Sequence, residues 1–485
     1  MTPQGALPSA RGAIPVPVYH RFGATLADSM TIRTSTELMR AAVDAGPLKP
    51  APKVPPMRRL LVPALLMLAL RPALALDGIV YNQADQSVVA GATVTSGGAS
   101  TQTDAAGRFH LAAPDATIAL RAPGYARARV EHVDPDGKQP LRLALAPFQP
   151  KALYLSFYGV GSEALREAAL ALVEQTELNA LVIDVKSDRG MIPYASAVEL
   201  AGRVGAQKIR TVGDMPALIA SLHKKHVYLI ARIVVFKDDP LASAHPELAL
   251  KNAQGQMWRD GEELAWVDPT RPEVWQYNLD IAEEAARLGF DEIQFDYVRF
   301  PDAPGVRYAQ PNTQASRVDA VSGFLAAARR RLAPYNVFVA ADVFGYVLWN
   351  TDDTAIGQQL DRLAEALDYI CPMLYPSGFK WGIPNNRNPV EHPYEIVYQS
   401  LQRAKQRTGL PGVRFRPWLQ GFADYAFDHR PFGAPQVQAQ IDGARAAQAN
   451  GWMLWNPRNQ YTRGGLQCEG NDCQPAAPSQ ASARD

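Results

Sequence analysis

From Lys151 to about Tyr461 the chain alternates short apolar runs with amphipathic stretches, and this alternation restricts the fold more than any other feature. Eight runs read as strands: A-L-Y-L-S-F, A-L-V-I-D-V-K, V-Y-L-I-A-R-I-V-V-F, E-I-Q-F-D-Y-V, V-F-V-A-A-D-V-F, Y-I-C-P-M-L-Y, R-F-R-P-W-L and W-M-L-W-N. Between them lie helical patterns, among them 162–176, 215–225, 272–288, 317–332, 394–408 and 435–450. Strands that alternate with helices make a parallel sheet. Eight strands with seven helices between them predict a (β/α)8 TIM-type barrel over residues 151–461. A doubly wound sheet is the competing arrangement, but no G-x-G-x-x-G follows the first strand.

The fourth run lies in F-D-E-I-Q-F-D-Y-V-R-F-P, residues 290–301. Ile293, Phe295 and Tyr297 alternate there with Gln294, Asp296 and Val298, the period of a strand. The helical stretch 272–288 runs into it through Gly289, a helix stop signal. Asp296 falls where the strand is about to end, just before Arg299 and Pro301. Since the C-terminal strand ends of such a barrel build its active site, the residues at the other ends matter as well. These are Tyr158 on the first strand; Asp184, Lys186 and Asp188 on the second; and Arg232, with Lys237 and Asp238 just after it, on the third. Asp342 closes the fifth, Tyr375 the sixth, Trp418 and Gln420 the seventh, and Trp455 and Asn456 the eighth.

Sugar rings stack their apolar faces on Trp and Tyr while their hydroxyls seek polar groups. The rim therefore reads as a carbohydrate groove, with Tyr158, Lys186, Arg232, Gln294, Tyr297, Arg299, Tyr375, Trp418, Trp455 and Asn456 as substrate-binding candidates. Asp296 and Asp342 sit on adjacent strands and are the candidate nucleophile and general acid/base, with Asp184 in reserve. Arg299 and Tyr297 are expected to orient Asp296 and hold its charge, and a drier setting to raise the pKa of Asp342. Two other readings compete: a non-catalytic polysaccharide-binding barrel, and a metal-assisted hydrolase using Asp184, Asp188 and Asp238. No strand end carries a His, so no metal and no cofactor is expected. A formal net charge of +1 over 485 residues gives no basis for a nucleic-acid partner.

W-V-D-P-T-R-P-E-V-W (266–275), the fourth-strand motif, L-V-I-D-V-K-S-D-R-G (181–190) and C-P-M-L-Y-P-S (371–377) together resemble a bacterial glycoside hydrolase barrel domain, a family formerly of unknown function. The resemblance covers 151–461 and implies a glycosidase acting on a polysaccharide or oligosaccharide. A fainter likeness to family-18 chitinases rests on the acidic fourth strand, M-x-Y on the sixth and Trp on the eighth. The chitinase proton donor would be a Glu two positions after Asp296, where this chain has Val298.

Ahead of the barrel, residues 77–147 carry short strand candidates separated by Gly, Pro and Asp turns, which predicts a small all-β sandwich. Gly78, Gly91-Ala92, Val94, Thr103-Asp104, Gly107, Phe109 and Gly124-Tyr125 resemble the carboxypeptidase regulatory-like, transthyretin-like domain. That resemblance implies an accessory module, with Asp104 and Gly107 making a hairpin turn and Phe109 pointing into the core. Residues 57–75 have a basic start, a short apolar core and an A-x-A site at Ala73-Leu74-Ala75, the pattern of a secretory signal peptide. The expected location is periplasmic or secreted, with no stable membrane span after cleavage. Residues 1–56, rich in Pro, Ala and Gly, are expected to be disordered or untranslated, with Met57 as the start. A disordered tail is expected over 462–485. Cys371 reads as a buried thiol, whereas Cys468 and Cys473 can pair in an oxidising compartment.

Protein from the native host should begin near Leu76, and its unreduced mass should show one internal disulfide. A mature chain retaining Arg11 or Tyr19, or two free thiols in the tail, would contradict this reading.

Overall fold

The computed structural model describes residues 75–112, 115–132 and 140–467. The expected extension, the signal segment up to Leu74, and Cys468 and Cys473 lie outside the described residues.

Seven strands precede the barrel: β1 (Ala75–Asn82), β2 (Thr93–Ser96), β3 (Ala99–Gln102), β4 (Arg108–Ala112), β5 (Ile118–Arg121), β6 (Ala128–Val130) and β7 (Leu141–Leu145). They form two sheets, β4-β1-β7 and β3-β2-β5-β6, over one core that includes Val80, Val94, Phe109, Leu120 and Leu145. In β4 the burial alternates, as expected of a strand with one face covered. Gly107 has φ +71 and its N–H donates to the Asp104 carbonyl at 2.9 Å, so the expected turn forms. It joins strands of different sheets, however, and is not a hairpin within one.

Eight parallel strands then close into a barrel: β8 (Lys151–Leu155), β9 (Ala180–Lys186), β10 (Tyr228–Val234), β11 (Glu292–Asp296), β12 (Phe338–Phe344), β13 (Tyr369–Met373), β14 (Trp418–Gln420) and β15 (Trp452–Trp455). The ring closes where Met453 pairs with Ala152. Helices Glu163–Gln175, Met215–Lys224, Pro272–Leu288, Gln314–Leu332, Leu360–Ala364, Pro393–Thr408 and Ala434–Ala446 follow the first seven strands in turn. The (β/α)8 barrel expected from the alternation is the fold observed. Gly289, at φ +111, ends the helix before β11; it adopts the left-handed conformation that favours glycine and sends the chain back into the sheet. Among the described residues no helix is long and apolar enough to cross a membrane.

The lumen is filled in layers. At its N-terminal end Arg416 Nη1 lies 2.7 Å from both carboxylate oxygens of Glu292, and neither side chain reaches solvent. Tyr228 donates its hydroxyl to Glu292 at 3.1 Å, and the Arg416 guanidinium lies 4.0 Å from the centre of the Tyr369 ring. The sandwich packs against this same end. Phe148 touches Tyr228, the Gly124 N–H donates to the Tyr369 hydroxyl at 3.1 Å, and Arg127 pairs with Asp291.

Residues 462–467 do not begin a free tail. Leu466 is buried, and the Glu177 N–H donates to the Gln467 carbonyl at 2.8 Å, which ties this segment to the barrel wall.

Removing one partner of a buried ion pair leaves the other charge uncompensated. Arg416→Met alone should therefore cost about 3–5 kcal/mol in urea unfolding. Arg416→Met combined with Glu292→Leu should recover most of that loss. A double variant no more stable than the single one would show that the pair is not the source of the effect.

Candidate active site

Successive strand residues face opposite ways, so Asp184, Arg232, Asp296, Asp342 and Trp418 all enter the lumen at its C-terminal end. Arg232 is the hub. Its Nη1 donates to Asp184 Oδ1 at 2.7 Å, and its Nε and Nη2 donate to Asp296 Oδ2 at 2.9 and 2.6 Å. Its guanidinium also lies over Tyr154 and Trp455, 5.5 and 5.1 Å from their ring centres. Asp296 Oδ1 accepts the Tyr297 N–H at 2.6 Å, and Tyr297 holds φ +48, an uncommon conformation for an aromatic residue. Both oxygens of Asp296 are thus fixed, and the chain turns sharply just beyond it.

Strand register aligns Phe295 with Ala341, which brings Asp296 and Asp342 to neighbouring positions one residue further on. Asp342 is 1% exposed; its Oδ1 accepts the Trp418 indole N–H at 2.7 Å, while its Oδ2 has no partner among the described residues. Burial, then the Asp296 charge, pushes the Asp342 carboxyl well above the usual range against the pull of Arg232. Asp184 is also buried, and it accepts from the Tyr154 hydroxyl at 2.8 Å and the Phe157 N–H at 3.1 Å. Burial raises its pKa to about 6 despite Arg232. Arg232 itself stays a cation: burial opposes its charge, and Asp296 and Asp184 outweigh that cost. Three carboxyls thus share one guanidinium, which favours keeping a proton on one of them.

Several expected binding residues lie elsewhere. A bulge in β9 pairs Ile233 with Lys186 where Arg232 had paired with Asp184, so Lys186 turns to the outer face of the barrel. It is completely buried there, 2.6 Å from Asp238 and 2.8 Å from Asn278, and is not positioned to meet substrate. Arg299 does not pair with Asp296 as expected. The turn at Tyr297 carries it away; its Nη1 donates to the Phe300 carbonyl, and its charge lies over the rings of Trp266 and Tyr297. Arg232 holds Asp296 instead.

Trp455 stacks on Tyr154, with ring centres 3.9 Å apart, and meets Trp418 edge-on. Gln294 lies below the acids with its amide against the Met453 sulfur, and Tyr375 packs on Phe422. Asn456 donates to the Gly421 carbonyl at 2.7 Å. Tyr158 is the outlier, 62% exposed on a short helix after β8. Val298 is buried in the apolar core, so nothing polar stands at the chitinase donor position. For the metal reading, Asp238 is engaged by Lys186 and Asp184 by Arg232, and no group of three His, Cys, Asp or Glu among the described residues could hold a metal ion.

Tyr154 was the residue missed. It lies two positions after the lumen-facing Ala152, and the period of a strand would have placed it there.

The Asp184 shift has a stability consequence whose sign follows from linkage. Its folded pKa, about 6, lies above the ordinary 3.8, so the folded state binds the proton more tightly. Its contribution is most favourable below the lower value and is lost as pH rises to the upper one. The stability of the native chain relative to Asp184→Asn should therefore fall by up to about 3 kcal/mol between roughly pH 4 and 6. Urea unfolding across that window checks it, and a constant difference would remove Asp184 as the titrating group.

The match to known families covers most of the barrel region. Residues 152–461 match the family described as "Putative glycosyl hydrolase domain". No curated protein matches the chain. Among solved structures, a hypothetical protein from Ruminiclostridium thermocellum ATCC 27405 is 37% identical over 39% of this chain and 97% of its own, with a TM-score of 0.36. The PgaB (BpsB) glycoside hydrolase domain from Bordetella bronchiseptica is 14% identical over 64% of this chain and 95% of its own, with a TM-score of 0.45. The spore cortex-lytic enzyme SleL of Bacillus megaterium QM B1551 is 13% identical over 67% of this chain and 75% of its own, at 0.39. With the family model spanning the barrel and its acidic rim, this chain belongs to the glycosyl hydrolase domain family.

Proposed function

We propose that this chain hydrolyses a polysaccharide with two carboxyls, Asp296 as nucleophile and Asp342 as general acid/base. The observation that carries the assignment is their unequal treatment. Asp296 is clamped through both oxygens, whereas Asp342 is pushed up by burial and its Oδ2 has no partner among the described residues. A glycosidase needs this division, one carboxylate to attack and one carboxylic acid to protonate the leaving oxygen. Adjacent strands run about 5 Å apart, which suits the roughly 5–5.5 Å carboxyl separation of a retaining enzyme. Trp455, partly exposed at the end of β15, supplies a ring beside the acids for a sugar to stack on, whereas Trp418 is 1% exposed and serves Asp342 through its indole N–H. The signal pattern at residues 57–75 supports action outside the cytoplasm.

One observation favours a second acid. Asp184 titrates at about 6, close to the range of a working general acid. Its oxygens already accept from Arg232, Tyr154 and Phe157, which supports a positioning role first.

Reducing-end release from a panel of bacterial polysaccharides identifies the substrate. On that substrate Asp296→Asn should abolish turnover while leaving the fold intact, and azide should rescue Asp296→Gly by replacing the missing nucleophile. Asp342→Asn should lower turnover by about 10²–10⁴-fold on natural linkages and much less on aryl glycosides with good leaving groups. Equal losses on both substrate types would move the acid role to Asp184.

A further inference from the structure

Arg299 is not used by the mechanism above, and its surroundings are unusual for a buried cation. It is 8% exposed, and among the described residues no carboxylate comes within the 4.0 Å of an ion pair. Nη1 has the Phe300 carbonyl at 3.1 Å. Nε and Nη2 have no partner among the described residues, and neither is among the buried atoms cut off from solvent. The rings of Trp266 and Tyr297, themselves 5.6 Å apart, lie on one side of the guanidinium at 5.1 and 5.2 Å. The nearby acids are mostly committed. Asp260 and Glu262 hold Lys237 at 3.1 and 3.0 Å, and Asp260 also accepts the Trp266 indole N–H. Asp296 belongs to Arg232, and Asp302 is half-buried and acts on Arg299 only from beyond ion-pair distance. Burying a guanidinium without a carboxylate is costly. Its free planar edge, beside the nucleophile strand, matches the geometry of a carboxylate that arrives from outside.

We propose that Arg299 is an anchor for an anionic sugar substituent, a hexuronate carboxylate, so that the substrate is an acidic polysaccharide. This names the substrate class of the site and rests on the glycosidase reading only for its location. Trp266 and Tyr297 pack together beside the guanidinium, leaving one edge for two parallel N–H bonds to the sugar carboxylate. Asp302 is then a competitor for that edge.

The test measures calorimetric binding to the full chain carrying Asp342→Asn, which slows turnover of natural linkages without touching the neighbours of Arg299. The probes are oligomers of galacturonate, glucuronate and mannuronate, each beside its carboxyl-reduced counterpart with the same linkages. At least one acidic oligomer should bind about tenfold or more tightly than its reduced form. Adding Arg299→Gln should erase that preference without lowering Tm, because it removes an unpaired buried charge. Asp302→Asn should increase the preference. Equal binding of all pairs, a preference that survives Arg299→Gln, or a preference lost in Asp302→Asn would each overturn the proposal. Hydrolysis of neutral polymers with no acid preference would remove the subsite and leave the glycosidase reading standing. An acid preference in a wild-type chain that hydrolyses nothing would do the reverse.

Discussion

A guanidinium buried in the wall of a barrel has to be neutralised, and the way Arg232 is neutralised sets the shape of the candidate site. It reaches sideways to Asp184 on β9 and up to Asp296 on β11, so one cation joins three adjacent strands. It also lies close to the stacked rings of Tyr154 and Trp455, which join the first and last strands to the same cluster. An Arg that forks between two carboxylates is not replaceable by Lys, which offers a point charge in place of a planar fork. The acids are oriented before any substrate arrives, and that preorganisation makes an electrostatic site effective.

The two ends of the lumen use the same residue types to opposite effect. At the N-terminal end Arg416 meets Glu292, one charge against one, with tyrosines on either side and the sandwich packed behind. At the C-terminal end Arg232 faces Asp184, Asp296 and Asp342, so negative charge exceeds positive and burial holds protons on the surplus. A balanced buried pair holds barrel strands in place; an unbalanced group favours keeping a proton on one of its carboxyls. The position of the sandwich fits this division, since it packs against the balanced end and leaves the acidic rim clear.

Lys186 shows how one irregular residue redirects chemistry. Read by strict alternation it belongs beside Asp184, inside the lumen. The bulge at Val185 turns it outward, where it meets Asp238 and Asn278 and ties β9 to the helix Pro272–Leu288. The backbone turn at Tyr297 does something similar two strands later, separating Arg299 from Asp296 and leaving its guanidinium beside the Trp266 and Tyr297 rings.

The eight strands, the helices between them and the parity that sends Asp184, Asp296 and Asp342 into one lumen are all legible in the residue pattern. Those features repeat at periods of 2 and 3.6 residues, and local repetition can be read without knowing what packs where. The acids were legible for the same reason, each standing at the end of an apolar run. Only the tertiary structure decided which cation serves them. Arg299 is close to Asp296 along the chain and Arg232 is not, but β10 and β11 are neighbours in the sheet and a turn removes Arg299. Nor could the pattern reveal the bulge that expels Lys186, the contact of the sandwich with the far end of the barrel, or the docking of residues 462–467. Each depends on atoms brought together from distant parts of the chain, and the raised pKa values at the rim depend on the burial that this packing creates.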